Sequence, residues 1–430
     1  MWQEIDESAL DLTRWIRPDD MVTWTQGTGE PTTLTESLVR QRHVLGGIRA
    51  FMGTNFGNTV RPEHADAISF TSIGAMGRNK SFCKAGVLEI VPCHVTDMPR
   101  LFERRIIPID VALIQLSTEL DGRFSFGAVS SYLSAAMAGA RVIIAEVNDK
   151  APWTHSIMPF DASCIDLVVR TSRPLLQIPT VDATPLDHAI ASHVVPFIRD
   201  GAILQIGVGA MPSAVLSGLR GHRHIGIHSG AIGDSVLTDL IETGVVDNST
   251  KPFDVGVSVT GTMFGTDRLY SFAHNNPQLR VDAAGYTHDP ARTSRFESFV
   301  TINSAVEVDL TGQINAETAG CEYLGTIGGQ GDFIRGAFAS KHGRSIIALP
   351  STAVDKELGS SISRIVTQIG TGVTTTARAD ADIVATEFGA AELRGRTISE
   401  RVRAMIAIAH PDHREQLQRE AHDRLAGLVR

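Results

Sequence analysis

Near-continuous apolar runs, too long on the hydrophobic side to be one-faced strands, constrain this chain more than any other feature. VALIQLS (111–117), RVIIAEV (141–147) and DLVVRTS (166–172) recur in the first part. AILQIGVG (202–209), FESFVTI (296–302), SIIALP (345–350) and DIVATEFG (382–389) recur in the second. Each ends near a polar or Gly-rich turn. Helix-like stretches such as SSYLSAAMAGA (130–140) and SAVLSGLRG (213–221) lie between them. A strand with one wet face alternates apolar and polar residues; these do not, so helices must cover both faces of the sheet. The predicted class is α/β, as two related open α/β domains.

At 430 residues the chain exceeds one ordinary core. TSRPLLQIPTVDATP (171–185) holds three prolines and little periodicity, and is predicted to link a domain over 1–180 to one over 181–430. The halves echo each other. DDMVTWTQGTGEPTTLTESLV (19–39) and DGAILQIGVGAMPSAVLSGL (200–219) each run from an acidic turn through an apolar strand and a Gly-x-Gly to a proline and a helix. A duplication would explain this pattern, and so would coincidence, because strand–Gly–helix units are common. The C-terminal stretch HPDHREQLQREAHDRLAGLVR is predicted as a surface helix with Leu417, Leu425 and Leu428 as its apolar stripe.

Composition removes several function classes. The net charge of -9, without a basic block, leaves no electrostatic footprint for nucleic acid. No stretch reaches about 18 uninterrupted apolar residues, so no membrane span is expected. MWQEIDESALDLTRWI lacks the basic and apolar regions of a signal peptide, and a cytoplasmic protein is expected. Cys83, Cys93, Cys164 and Cys321 are scattered without a CxxC pair. That argues against zinc and against a disulfide framework, and predicts buried reduced thiols. No HExxH, GxSxG or GxxxxGK[ST] occurs, so a catalytic metal, a nucleophile elbow and a P-loop are not expected.

Three segments carry candidate chemistry. GVGAMPSAV (207–215) places glycines after a strand and before a helix, where backbone N–H groups suit a phosphate or a thioester oxyanion; a plain βα turn reads the same way. EVDLTGQINAETAGCEYLGTIGGQGDFIRGA (307–337) crowds Gly325, Gly328, Gly329, Gly331 and Gly336 into one stretch. Such a loop orders at high entropic cost and marks a place where backbone meets ligand. HSGAIGD (228–234) follows an apolar strand and offers His228, either as a base or as a capped core imidazole.

EVDLTGQINAE with GTIGGQGDFIRGA resembles the signature of the acetyl-CoA hydrolase/transferase family, close to its 4-hydroxybutyrate CoA-transferase branch. LSTELDGRFSFG (116–127), AEVNDKAPWTH (145–155), GVGAMPSAVL, LPSTA (349–353), SRIV (363–366), TEFGAAELRG (386–395) and IAHPDHREQL (408–417) resemble other family blocks in order and spacing. The resemblance implies an active site in a cleft between the two domains and a glutamate that attacks an acyl-CoA thioester. A glutamyl-CoA thioester follows, and a carboxylate acceptor then takes the CoA. It implies CoA contacts at Gly207, Val208, Gly209, Ala210, Met211, Gly328 and Gly329, with the Val208 and Gly329 amides among the oxyanion donors. Acyl-CoA is the expected substrate, and a homodimer or higher homo-oligomer the expected assembly.

One departure decides the reading. The family's glutamate follows a His-Thr or Tyr-Thr pair; here Ile227, His228 and Ser229 are followed by Gly230. A glycine supplies no nucleophile. The favoured expectation is therefore an acyl-CoA hydrolase in which water replaces the glutamate, with His228 or Glu317 as base. The alternatives are a CoA-transferase with a carboxylate from elsewhere, and an inactive acyl-CoA-binding protein. Residues 51–84, with FMGTNFG, FTSIGAMG and RNKSF, depart from the family pattern and are expected to shape a non-standard acyl pocket.

Overall fold

The apolar runs fold as parallel strands wrapped by helices. The computed structural model describes residues 2–179, 181–233, 235–355 and 359–425. By contacts the chain divides into two units. Unit 1 comprises Met1–Pro179, His228–Thr238 and Val257–Asp289; unit 2 comprises Thr180–Ile227, Asp239–Gly256 and Pro290–Arg430. The first crossing falls inside the proline-rich stretch. The later returns, 228–238 and 257–289, place with unit 1 residues that the sequence division assigns to the second domain.

Unit 1 is built on an eight-stranded parallel sheet in the order Gln3–Ile5, Leu167–Thr171, Val142–Asn148, Val111–Ser117, Met21–Trp24, Ile48–Met52, Ile68–Ser72, Leu88–Ile90. Every residue of Val111–Ser117 and Val142–Asn148 is buried, which is why these runs do not alternate. Side chains of opposite parity feed two cores. Val22, Leu34, Leu38, Phe70, Leu113 and Ile144 fill one; Phe51, Phe102, Ala112, Ile114, Tyr132 and Ile143 fill the other. A second parallel ladder in unit 1 pairs His228 and Ser229 with Val259 and Thr260, and Ser258–Thr260 with Leu279–Val281.

In unit 2, Ile203–Ile206, Phe299–Asn303, Arg344–Ala348 and Ile383–Thr386 run parallel in that order, and Gly389–Glu392 returns antiparallel to the last. Ile203 packs with Phe296, Phe299, Phe333 and Ala337, while Val308, Leu310, Ile347, Val384 and Met405 belong to a larger core. Leu417, on the helix Pro411–Leu425, is buried in that second core. The side chain of Leu425 and all of Leu428 lie outside the described residues.

Each unit repeats one device. In unit 1, Met21–Trp24 has the next strand, Ile48–Met52, on one side and the much later Val111–Ser117 on the other. In unit 2, Ile203–Ile206 has Gly226 and Ile227 on one side and Phe299–Asn303 on the other. The strand order reverses at both places, and at such switch points an open α/β sheet leaves a crevice beyond its strand ends. Each strand then leads through a glycine turn into a helix, Thr32–Gln41 or Ala210–Gly218. This is the echo seen in the sequence, now present as topology.

The cysteines depart from expectation. Cys164 and Cys321 are exposed, and Cys83 and Cys93 are only half-buried. Cys164 stands in the short helical turn Ala162–Cys164, and Cys321 between the two-residue strands Thr318–Ala319 and Glu322–Tyr323, segments too short to cover a side chain. Among the described residues, no helix is long and apolar enough to cross a membrane, and no group of three or more His, Cys, Asp or Glu is placed to hold a metal.

Candidate active site

The first glycine loop lies at the switch point of unit 2. Ile203–Ile206 ends, and the helix Ala210–Gly218 begins three residues earlier than its sequence pattern indicates, so Ala210 and Met211 form its first turn. Gly209 is the N-cap, at φ +120°, in a region L-residues rarely enter. Val208 is 38% exposed and Gly209 is exposed too; among the described residues no side chain caps this helix. Its first N–H groups, with the positive end of the helix dipole behind them, suit an anionic ligand.

The second loop is on the same edge of the unit 2 sheet. The helix Gln330–Ala339 connects the parallel neighbours Phe299–Asn303 and Arg344–Ala348, so it must run against them and start at their carboxyl ends. Gly329 is its N-cap, and Gly328 sits at φ +53°. The side-chain amides of buried Gln205 and half-buried Asn303 tie the two strands, with Nε2 to Oδ1 at 3.3 Å and Nδ2 to Oε1 at 3.0 Å.

Glu317 stands at the base of this second loop. Its carbonyl accepts from the Leu324 and Gly325 amides at 2.7 and 2.9 Å. A Cβ at Gly325 would overlap the Ala316 carbonyl, so only glycine lets the chain double back there. The Glu317 side chain is 4% exposed. Its Oε1 accepts from Thr375 Oγ1 at 2.7 Å, and its Oε2 from the Tyr323 hydroxyl. Each oxygen keeps a second lone pair, so the carboxylate is oriented without being used up. Thr375 was invisible in the sequence, because nothing in spacing announces a hydroxyl from a bend 58 residues away, and Tyr323, though only six residues from Glu317, belongs to no motif.

His228 and Gly230 belong to unit 1. His228 is wholly buried on the strand Gly226–Ser229. Its Nε2 lies 3.1 Å from the Thr287 carbonyl; a carbonyl only accepts, so Nε2 carries the proton. The Tyr286 ring lies 6.2 Å from it, centre to centre. Gly230 follows the strand and is half-buried. Its carbonyl accepts from the Gly261 amide at 3.2 Å, and the Gly261 carbonyl accepts from the Ser130 and Ser131 amides at 3.1 and 3.2 Å. Ser131 Oγ then accepts from Gln26 Nε2 at 2.9 Å, and Gln26 Oε1 accepts from the Thr54 amide at 2.9 Å. A continuous hydrogen-bonded path thus joins Gly230 to the turns after Met21–Trp24 and Ile48–Met52. Sequence reasoning missed Gln26, Ser131 and Gly261; the one available signal was that Gln26 opens the QGTG echo of the unit 2 loop.

Burial sets the titration of nearby groups. It pushes the Tyr132 phenol up to about 12, its hydroxyl lying 3.1 Å from the Trp24 carbonyl. It pushes the His288 imidazole down to about 4. Glu30, 3% exposed beside Thr35 Oγ1 at 2.8 Å, is raised above the usual carboxylate range by the same desolvation.

Family models for the N-terminal and C-terminal domains of acetyl-CoA hydrolase/transferase match residues 2–199 and 265–421. Over 427 residues the chain is 35% identical to the 4-hydroxybutyrate coenzyme A transferase of Clostridium kluyveri, covering 97% of this chain and 98% of that protein. The acetyl-CoA hydrolase of Saccharomyces cerevisiae is 31% identical over 287 residues, 63% of this chain and 52% of that one. The crystal structure of RipA from Yersinia pestis superposes with a TM-score of 0.91 at 31% identity, covering 99% and 98% of the two chains.

Proposed function

The chain belongs to the acetyl-CoA hydrolase/transferase family, and from that premise we propose that it hydrolyses an acyl-CoA thioester instead of passing CoA between two acids. The observation that carries this reading is Gly230. The pattern that the sequence resembles has a glutamate after a His-Thr or Tyr-Thr pair; this chain has His228, Ser229 and a residue with no side chain. Exchange between two acids needs a carboxylate to hold CoA covalently, whereas hydrolysis does not.

In this reading CoA lies against the Gly207–Met211 and Gly328–Gly329 loops, whose backbone donors do not depend on side-chain identity. The Val208, Gly209, Gly328 and Gly329 amides are the candidates to steady the thioester oxyanion as it forms. Water attacks the carbonyl carbon, the C–S bond breaks, and the proton released by water goes to the base while the thiolate leaves. Glu317 is the favoured base, since Thr375 and Tyr323 fix its carboxylate and leave lone pairs for a proton. Complete burial and the Thr287 contact favour a holding role for His228, orienting the segment that ends in Gly230.

Thiol release from a panel of acyl-CoAs, with and without added acetate, tests the proposal. Release independent of acetate, with no CoA adduct in peptide mass spectra after borohydride trapping, is the expected result. Glu317→Gln should lower kcat by about a hundredfold, in the range typical of general base removal. Gly230→Glu should shift the products toward exchange. Brisk exchange by the unaltered chain, with an adduct on Glu317 or another carboxylate, would establish a transferase. Binding of acyl-CoA with neither product would establish a binding protein.

A further inference from the structure

Two loops leave the carboxyl edge of the unit 1 sheet, one after Val111–Ser117 and one after its parallel neighbour Val142–Asn148. Together with Val281 they enclose a cavity of about 110 Å³. Phe124, Phe126, Trp153, His155 and Phe160 line it, with Arg123. All belong to unit 1, and none is among the residues assigned to CoA or to catalysis.

The walls are built, not incidental. Ser125 pins the two loops together, its Oγ accepting from the Gly127 and Thr154 amides, each at 2.9 Å. Thr154 Oγ1 donates to the Gly127 carbonyl at 2.7 Å. Trp153 Nε1 donates to the Arg123 carbonyl at 2.8 Å, so the indole spends its polar edge on the backbone and leaves its ring as apolar wall. His155 stands edge-on to Trp153, 5.0 Å between ring centres, and Phe160 edge-on to Phe126 at 5.1 Å. The His155 carbonyl accepts from the Val281 amide at 2.9 Å. Loops tied at so many points hold the space open, as a preformed ligand pocket requires.

The charge at this cavity is one-sided. The exposed Arg123 guanidinium makes no ion pair or hydrogen bond among the described residues. Glu119 and Asp121 stand on the same loop, yet neither lines the cavity. Asp282, which accepts from the lining Ser156 hydroxyl at 3.0 Å, is already paired with Arg280 Nε at 2.6 Å. His155 Nε2 is buried with no partner among the described residues, and buried polar atoms are almost always paired, so the wall is polar without being internally complete. Size narrows the guest. A closed apolar cavity of about 150 Å³ holds benzene. Here Trp153, His155 and Phe160 are only half-buried, so a single ring can enter and leave its charged group outside. We propose that this cavity binds a small aromatic acid, its ring among Phe124, Phe126, Trp153 and Phe160 and its anionic group on Arg123. The acid is bound and not converted, and the site stands apart from the hydrolase reading above.

Calorimetry on the full chain compares benzoate, benzyl alcohol and acetate. Benzoate should bind about tenfold or more tightly than either of the others, since one lacks the charge and the other the ring. In Arg123→Gln benzoate should lose about tenfold in affinity and benzyl alcohol nothing. In Phe160→Ala, at a half-buried position, both should weaken together. Equal affinity for benzoate and benzyl alcohol on the unaltered chain overturns the assignment and needs no variant to fold. Benzoate affinity kept in Arg123→Gln overturns it as well. Mass spectra after incubation with acetyl-CoA and benzoate should show no benzoyl-CoA. Benzoyl-CoA that forms with the unaltered chain and is lost in Arg123→Gln would make the cavity part of the reaction and overturn its reading as a separate site.

Discussion

The two strand–glycine–helix devices share one topology and differ in what faces the helix. In unit 1 the turn Gly27–Glu30 is buried, and the helix Thr32–Gln41 meets the chain's own carboxylate: Glu146 Oε2 accepts from the Thr33 and Leu34 amides at 2.9 and 3.4 Å. Glu146 Oε1 accepts from Thr171 Oγ1 at 3.1 Å, and the residue is wholly buried. In unit 2 the corresponding turn, Gly207–Ala210, is exposed or half-buried, and among the described residues no side chain caps its helix. Every βα unit of this kind presents unsatisfied N–H groups at its helix start. One copy meets that demand internally; in the other, no side chain among the described residues meets it. The fold alone therefore does not say where an anion binds; the side chain that fills or fails to fill each helix start does.

If Glu146 is a seal, the largest effect should appear with pH. Burial holds its carboxyl up at about 7, against a usual glutamate value of 4.5. The folded protein keeps this proton to higher pH than the unfolded chain. The contribution is thus fully present below about 4.5 and lost as pH rises through about 7, a swing on the order of 3 kcal/mol. His288 has the opposite sign. Its imidazole is pushed down to about 4 from 6.5, so its contribution is present above 6.5 and lost as pH falls through about 4. Together they predict a stability maximum in the mildly acidic range. Glu146→Gln, which keeps an acceptor for the helix amides, should remove the alkaline limb and leave a plateau above pH 6.5. Urea midpoints from pH 4 to 8 would show it; an unchanged alkaline limb would mean that another group carries the slope.

Emptying the seal should have the next largest effect. Glu146→Ala leaves the Thr33 and Leu34 amides buried without an acceptor, and should cost about 2 kcal/mol at pH 8. Formate is small enough to replace the lost carboxylate, so it should restore much of the midpoint saturably, while chloride should not. Full stability in Glu146→Ala without formate would make the two helix starts equivalent and end the contrast.

The architecture was legible because its cause is local. Fully buried parallel strands must be continuously apolar, and VALIQLS at 111–117 became the strand Val111–Ser117 without a shift. The helix start at Ala210 was misplaced because glycine at the N-cap carries no side-chain signal, and the proline at 212 lies inside the helix's first turn, where its missing N–H is harmless. Site residues divided in the same way. The glycine loops announced themselves by composition. Glu146 and Thr375 did not, since their contacts are with partners distant in sequence: Glu146 lies 113 residues from Thr33, and Thr375 lies 58 from Glu317. The return of 228–238 and 257–289 to unit 1 was equally hidden, because strand pairing between separated segments leaves no periodic trace.

The smallest effect should come from the open end, where strain and ligand approach are separable. Gly209 has φ +120° and ψ -174°, a conformation essentially reserved for glycine, yet among the described residues nothing lies within 4 Å of the place a Cβ would take. Gly209→Ala therefore pays in backbone strain and not in collision. Because the turn is exposed and can relax, the loss of stability should be only about 1 kcal/mol. If the exposed helix start is where CoA lies, the same methyl stands in the ligand's path and re-aims the donors, and the affinity for CoA should fall about tenfold. Gly209→Val should weaken CoA further and cost more stability than Gly209→Ala, since a β-branched residue tolerates this positive φ less well. The matching change at the sealed end, Gly29→Ala, would push a Cβ to 2.7 Å from Thr25 and 3.1 Å from Val129, so it should destabilise the fold more than Gly209→Ala and leave CoA affinity nearly unchanged. Calorimetry and urea unfolding on the pair decide the matter. Equal affinity losses would show that ligand binding does not distinguish the open helix start from the filled one.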